Sequence, residues 1–276
     1  MKKFFALVPA AIAALVLGQT AFASTDIYHG AGQGYDISYP QCGIAIPSGA
    51  FGIDGVDGSG RPFDVDNQYG PSPCLGKQYA AARATGNGAL YMNTGYDPSY
   101  VANHPVATCV QQSQAKTSLD AAHQQAWEVG CASAWFNQQY VMSPTTNLVS
   151  SGSAAGVSWQ RYGQGLPAPT MWWLDVETGN SWSSSDLTLN AETLQGSVDE
   201  LTSLTPGIQV GAYSTSYQWG VIAGSTHVTG LAADWVATGQ TSSRNVKTYC
   251  SKTFNGGTAW LVQWVSHRTY DYDVPC

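Results

Sequence analysis

Charge is scarce in this sequence. Asp, Glu, Lys and Arg make up 11% of its 276 residues, and 18 acids outnumber 11 bases. A chain so short of basic residues lacks the electrostatic footprint for phosphate backbones, which argues against nucleic acid and anionic membrane surfaces as partners. Past residue 23, no run approaches the roughly 18 apolar residues a membrane helix requires, so no stable membrane insertion is expected. Neither a C-x-x-C pair nor an H-E-x-x-H occurs, and the five histidines are scattered. No zinc site is expected, and no other metal or cofactor is implied. Without a G-x-S-x-G elbow, a serine hydrolase using Ser214 is a poor reading. Repeats, linkers and a second composition regime are also missing, which leaves one domain.

What is present begins with a secretory leader. Lys2 and Lys3 precede an apolar run from Phe4 to Leu17, and Ala21-Phe22-Ala23 is a small-residue cleavage site. Residues 1–23 read as a signal peptide and 24–276 as one domain, exported to the extracellular space or cell wall. Cys42, Cys74, Cys109, Cys131, Cys250 and Cys276 all fall in that domain. An even number in an exported chain favours three disulfides. Sequence does not settle the pairing; the sequential one, 42 with 74, 109 with 131 and 250 with 276, is the expectation. The 10 Trp and 15 Tyr, on a surface rich in Gly, Ser and Thr, suit neutral sugars, although most aromatics belong in a core. The acidic balance gives no help in approaching an anionic wall, which counts mildly against a wall substrate.

The chain is organised around Met171-Trp172-Trp173-Leu174-Asp175-Val176-Glu177-Thr178, read as a buried strand ending in two carboxylates. Alternation along a strand points Asp175 and Glu177 the same way, about 6.6 Å apart. Mutual repulsion and an apolar wall of Trp172, Trp173, Leu174 and Val176 should separate their pKa values into one proton donor and one anion. Glycosidic cleavage needs that pair. The plainer reading of such a triplet is a helix cap or a surface charge.

Around it, strands are expected at Gly34–Gly43 (stopping at Pro40), Phe51–Gly58, Ala89–Gly95, Gln209–Thr215, Leu231–Ala237 and Ala259–Val265. Helices are expected at Cys74–Ala84, from Ser118 through Ala134, through Ala154, Val157, Trp159 and Tyr162, and at Asn190–Ser203. The stretch up to Thr117 reads as a surface excursion, and Asp57 as a D-G turn more than as a group at a pocket mouth. Near-continuous apolar strands alternating with helices indicate a parallel sheet covered on both sides. The fold class is α/β, a single irregular TIM-like (β/α) barrel with disulfide-stapled loops. In such a barrel the chemistry sits at C-terminal strand ends, where Asp36, Asn93, Asp175, Glu177, Tyr213, Gln263 and Asp271 fall.

With these residues placed, the chain resembles the lysozymes of glycoside hydrolase family 25. Asp36-Ile37-Ser38 looks like that family's D-x-S opening, and Asp175-Val176-Glu177 like its D-x-E strand. Tyr213-Ser214 looks like Y-[ST], Trp235-Val236-Ala237 like W-x-A, and Gln263-Trp264 with Asp271 like the closing Q-[YW] and D-x-N elements. Two strands depart from the family pattern: Gly52–Asp57 lacks a K-A-T-E-G-like ending, and Tyr91–Gly95 replaces Y-H-F. The resemblance implies a peptidoglycan muramidase on an irregular β/α barrel. Glu177 would be the general acid and then base, and Asp175 would orient the substrate acetamide or stabilise the oxocarbenium ion. Asp36 and Asp271 would support the acids and bind sugar.

The leading expectation is a secreted glycosidase acting on peptidoglycan or a related N-acetylated glycan. Glu177 and Asp175 are its catalytic residues, and Asp36, Asp271, Asn93, Tyr213, Gln263, Trp182 and Trp264 contact the carbohydrate polymer. Its rival is a catalytically silent barrel that binds glycan through Trp182, Trp264 and the acid cluster.

Overall fold

The computed structural model describes residues 24–57, 71–143, 164–266 and 269–276. The expected leader, most of the Ser59–Pro73 loop and the expected helix through Ala154, Val157, Trp159 and Tyr162 lie outside the described residues. Among the described residues, eight strands close a barrel in chain order. They are β1 (Gly34–Ile37), β2 (Gly52–Gly55), β3 (Gly88–Asn93), β4 (Met171–Asp175), β5 (Gln209–Ser214), β6 (Leu231–Ala237), β7 (Ala259–Ser266) and β8 (Tyr270–Pro275). Helices α1 (Leu75–Ala84), α2 (Tyr100–Asn103), α3 (Ala107–Ala115), α4 (Ala121–Met142), α5 (Leu187–Leu204) and α6 (Ser216–Ile222) surround it, with 3-10 turns at Tyr39–Gln41 and Val246–Ser251.

The expectation of an all-parallel sheet is corrected at the closing strand. β1 through β7 pair in parallel, but β8 runs antiparallel to both β7 and β1. Too few residues separate Ser266 from Tyr270 for a crossover helix, and a strand reached by a short connection returns antiparallel. The reversal brings the start of β8, with Asp271, to the end of the barrel where the other strands finish, and pairs Asp271 with Asp36.

Alternation along β4 sorts its residues cleanly. Met171 and Trp173 lie inside the barrel with Ile53, Ala89, Trp235 and Leu261. Trp172, Leu174 and Val176 face the helices, so the apolar wall assigned to them around the acids is corrected: they lie on the opposite face. The interior is filled by stacked aromatics. Tyr28 packs on Phe51 at 4.6 Å between ring centres and on Trp173 at 6.2 Å, and Trp173 meets Trp235 at 5.6 Å. The Trp173 indole N–H donates to the Tyr28 hydroxyl at 3.1 Å. Gly211, beside Trp173, makes room for this column, since a Cβ there would stand 2.2 Å from the indole ring. The lead-in closes the opposite end of the barrel, with Asn87 and Gln209 amides donating to the Ile27 and Thr25 carbonyls.

The expected surface excursion before Thr117 is also corrected. It holds α2 and α3, and Tyr100, Val106 and Cys109 bury their side chains in the helix-layer core. The disulfides are Cys42–Cys74, Cys109–Cys131 and Cys250–Cys276, as the sequential pairing expects, and no cysteine is free. Cys109–Cys131 ties α3 to α4, and Cys250–Cys276 ties the last 3-10 turn to the end of β8.

α4 and α5 start at Asp caps, Asp120 accepting from the His123 amide and Asp186 from the Thr188 amide. They cross at two glycines. A Cβ on Gly130 would stand 1.8 Å from the Thr193 carbonyl oxygen, and one on Gly196 would stand 2.0 Å from that of Trp127. Backbone cannot step aside as a side chain can. Gly130→Ala is therefore expected to destabilise the protein by about 1–3 kcal/mol, the range for overpacked cores, which urea unfolding would read. An unchanged midpoint would show that the helices part without cost.

Candidate active site

The carboxylates gather at the C-terminal mouth of the barrel. Asp36, Tyr91, Asp175, Glu177, Tyr213, Trp235, Gln263 and Asp271 line a cavity of about 140 Å³. Asp175 ends β4 directly above Trp173, and Glu177 stands just beyond in the loop. The backbone carrying both acids is pinned carbonyl by carbonyl. The Asp175 carbonyl accepts from the Thr94 hydroxyl at 2.5 Å and the Asn180 amide at 3.2 Å. Val176 accepts from Ser214 at 2.7 Å, and Glu177 from the Trp182 indole at 2.8 Å. Gln218 on α6 accepts from the Thr178 amide at 2.6 Å and also hydrogen-bonds the Glu177 carboxyl.

A polar relay crosses the floor. The Tyr213 hydroxyl donates to Gln263 at 2.8 Å, and the Gln263 amide donates to Asp36 at 3.0 Å. Trp235 stands under both, 4.5 Å from the Tyr213 ring centre. Its N–H turns away to Asp273 at 2.7 Å.

Every carboxyl here is pushed upward, because the aromatic floor removes water that would solvate the charged form. Burial raises Asp36 to about 8, with the Asp271 charge adding to it and hydrogen bonds from Gln263 and Asp273 opposing. Burial drives Asp175 well above the usual range, reinforced by Glu177, Asp57 and Asp36. Asp271 rises to about 6 by burial and then Glu177. Glu177 is raised by burial and restrained by Gln218. Among the described residues, no basic side chain figures among the charges acting on these four. Repelling acids in one cavity retain protons collectively toward neutral pH. Asp175 and Glu177 are thus both raised instead of being split into one donor and one anion, Asp175 the more strongly.

Three residues expected to touch substrate lie elsewhere. Trp264 is the neighbour of inward-facing Gln263, so alternation turns it outward, where it stacks on Tyr272 at 5.3 Å. Trp182 is half-buried against the helix-layer core and lines a separate groove of about 290 Å³ with Thr178, Asn180 and Val221. Its indole N–H is spent on the Glu177 carbonyl. Asn93 is buried and donates to the carbonyl of Asp57 and, through its backbone, to the Asp57 carboxyl, both at 3.0 Å. Asp57 is accordingly no exposed turn residue: it is 1% exposed and raised to about 7 by burial. The carboxylates of the cavity form no close group of three ligating oxygens among the described residues.

No protein-family profile and no curated protein matches this sequence. Solved structures do. The chain is similar to family 25 muramidases and lysozymes. A muramidase from Trichobolus zukalii matches with a TM-score of 0.49 at 14% identity, covering 88% of this chain and 93% of that one. A family 25 lysozyme from Aspergillus fumigatus gives 0.49 at 12% identity, over 88% and 92%. A glycosyl hydrolase 25 of Streptococcus pneumoniae, described as a virulence factor participating in host cell invasion, gives 0.49 at 15% identity, over 88% and 86%.

Of the family-25-like motifs, D-x-S, D-x-E, Y-[ST], W-x-A and Q-[YW] each send one or two side chains into the cavity: Asp36, Asp175 with Glu177, Tyr213, Trp235 and Gln263. The closing D-x-N-like element places Asp271 at the cavity and Asp273 beneath it. Sequence reasoning missed Tyr91 and Trp235 as lining residues, and Thr94, Asn180 and Gln218 as props of the acid loop. Tyr91 and Trp235 share the inward phase of their strands with Asn93 and Ala233, a signal the sequence holds. Thr94 and Gln218 act across 81 and 40 residues of chain, where no local pattern reports them.

Proposed function

We propose that this chain is an exported glycoside hydrolase that cleaves peptidoglycan or a related N-acetylated glycan. One observation carries the reading: Glu177 and Asp175, on a backbone held at three successive carbonyls, share an aromatic-floored cavity with Asp36 and Asp271. Glu177, raised by burial, donates its proton to the leaving glycosidic oxygen and then takes one from water as general base. Asp175 lies deeper and faces the reacting sugar ring, where its carboxyl, raised further than that of Glu177, keeps its proton and orients the acetamide by hydrogen bonding. Participation by the acetamide removes the need for an enzymic nucleophile, so the carboxyl spacing does not dictate inversion. Asp36, held by Gln263, and Asp271 receive sugar hydroxyls.

Export rests on the Lys2–Ala23 leader pattern together with three disulfides. No described helix is long and apolar enough to cross a membrane. The test is release of reducing ends from purified peptidoglycan and from chitin oligomers by the mature protein. Release from either establishes a glycosidase and names its bond class. Retention on peptidoglycan without release would replace this reading with the silent glycan-binding barrel.

A further inference from the structure

Below the cavity sits an acid that the proposed chemistry does not use. Asp273 on β8 is 0% exposed. Its Oδ1 accepts from the Trp235 indole at 2.7 Å, and its Oδ2 is buried with no N–H donor. Asp36 and Asp273 are diagonal neighbours on the inward face where β8 runs against β1, and Gln263, the register partner of Asp273, donates to Asp36, which brings the two carboxyls together. Two buried carboxylates cannot touch as anions without a cation between them, and one proton between them removes the conflict. Among the described residues, the groups facing Asp273 supply no cation. They are Asp36 from β1, Trp235 from β6, Gln263 as its register partner on β7, Asp271 on its own strand, and the Tyr28 phenol from the lead-in.

We propose that Asp273 is a positioning residue: a permanently protonated carboxylic acid whose O–H donates to the Asp36 carboxyl and fixes it against the cavity. Asp36 is the first of the two to ionise and Asp273 keeps its proton, because Asp36 is the better supported anion. Asp36 already receives the Gln263 amide and reaches the cavity, while Asp273 has only the indole N–H and no access to water. Burial pushes Asp273 well above the ordinary range, with the charge of Asp36 next in importance, which points the same way. The result is a chain of donors from four strands converging on the Asp36 carboxyl of a fifth: Tyr213 to Gln263 to Asp36, and Trp235 to Asp273 to Asp36. Such a carboxyl cannot swing away when substrate binds. A protonated Asp, like Asn, presents a donor on one arm and an acceptor on the other.

That equivalence makes the test sharp. Its positioning role rests on the glycosidase reading; its protonation does not. In protein labelled with carbon-13 at aspartate carboxyls, one signal is expected to hold the protonated position from about pH 5 to about pH 9 and to be absent from Asp273→Asn. In Asp273→Leu the Asp36 carboxyl should titrate higher than in native protein, since a donor is lost, whereas Asp273→Asn should keep it nearer the native value. If the signal missing from Asp273→Asn titrates in the usual aspartate range, the proposal is overturned, whether or not the protein cleaves glycans. On a glycan that the native protein cleaves, Asp273→Leu should lower kcat by about 10–100-fold with KM within about threefold, and Asp273→Asn should restore kcat to within about threefold. A folded Asp273→Asn as impaired as Asp273→Leu would equally overturn it, by showing that the ionised carboxylate is what the site needs.

Discussion

Glu177→Gln is expected to lower reducing-end release by about 10²–10⁴-fold, the usual worth of a positioned general acid, while glycan retention changes by less than about threefold. The substitution is close to isosteric, and it leaves the loop held as before, because Trp182 grips the Glu177 carbonyl and Gln218 the Thr178 amide. The loss is therefore the proton itself. Asp175 cannot stand in for it: its carboxyl is 8% exposed at the end of β4, and one of its oxygens is buried without a partner. Asp175→Asn should cost less than Glu177→Gln if Glu177 is the acid, since an amide still addresses the acetamide. Retention of more than about a tenth of native activity by Glu177→Gln would remove Glu177 from that role.

Stability should fall as pH rises from about 4 to about 8, against the habit of proteins whose carboxylates are salt-bridged. The folded-state values of Asp36, Asp57 and Asp271 lie at about 8, 7 and 6, all above the ordinary 3.8. A group raised in the folded state stabilises fully below its unfolded value, and that contribution drains away until pH passes its folded value. Asp57 offers the cleanest single test. Its Oδ2 and the Oδ1 of neighbouring Asn137 are both buried without a donor, and a proton on Asp57 satisfies both. Asn at this position supplies an N–H in the same place and cannot ionise. Asp57→Asn should match native protein near pH 4 and exceed it near pH 8 by on the order of 2–4 kcal/mol, at about 1.4 kcal/mol per unit of displacement. Urea unfolding at the two pH values reads the difference directly. An equal effect at both would mean that Asp57 is already ionised in the native state.

Much of the site was legible in the sequence because it is written in strand phase. Asp36, Asp175, Tyr213 and Gln263 each occupy the inward phase near the end of an apolar strand, and Glu177 and Asp271 stand within two residues of a strand end, so all six share one cavity. The same rule, applied consistently, would have excluded Trp264 as the neighbour of Gln263. Trp182 lies outside that cavity for another reason: an indole in a polar loop has a hydrogen-bond donor to satisfy, and which acceptor takes it depends on where the loop folds.

By itself, then, the sequence determined the recurrence of buried strands and helices, the inward phase of most acids and the supply of cysteines for three bridges, because these follow from local alternation and composition. Tertiary structure alone decided that β8 closes the barrel in reverse and sets Asp271 against Asp36. It alone turned Asp57 and Asp273 into buried acids and set Thr94, Ser214 and Trp182 to hold the acid loop. Those outcomes depend on which residues meet across long stretches of chain and on how much water the meeting excludes, and no window of neighbouring residues carries either quantity.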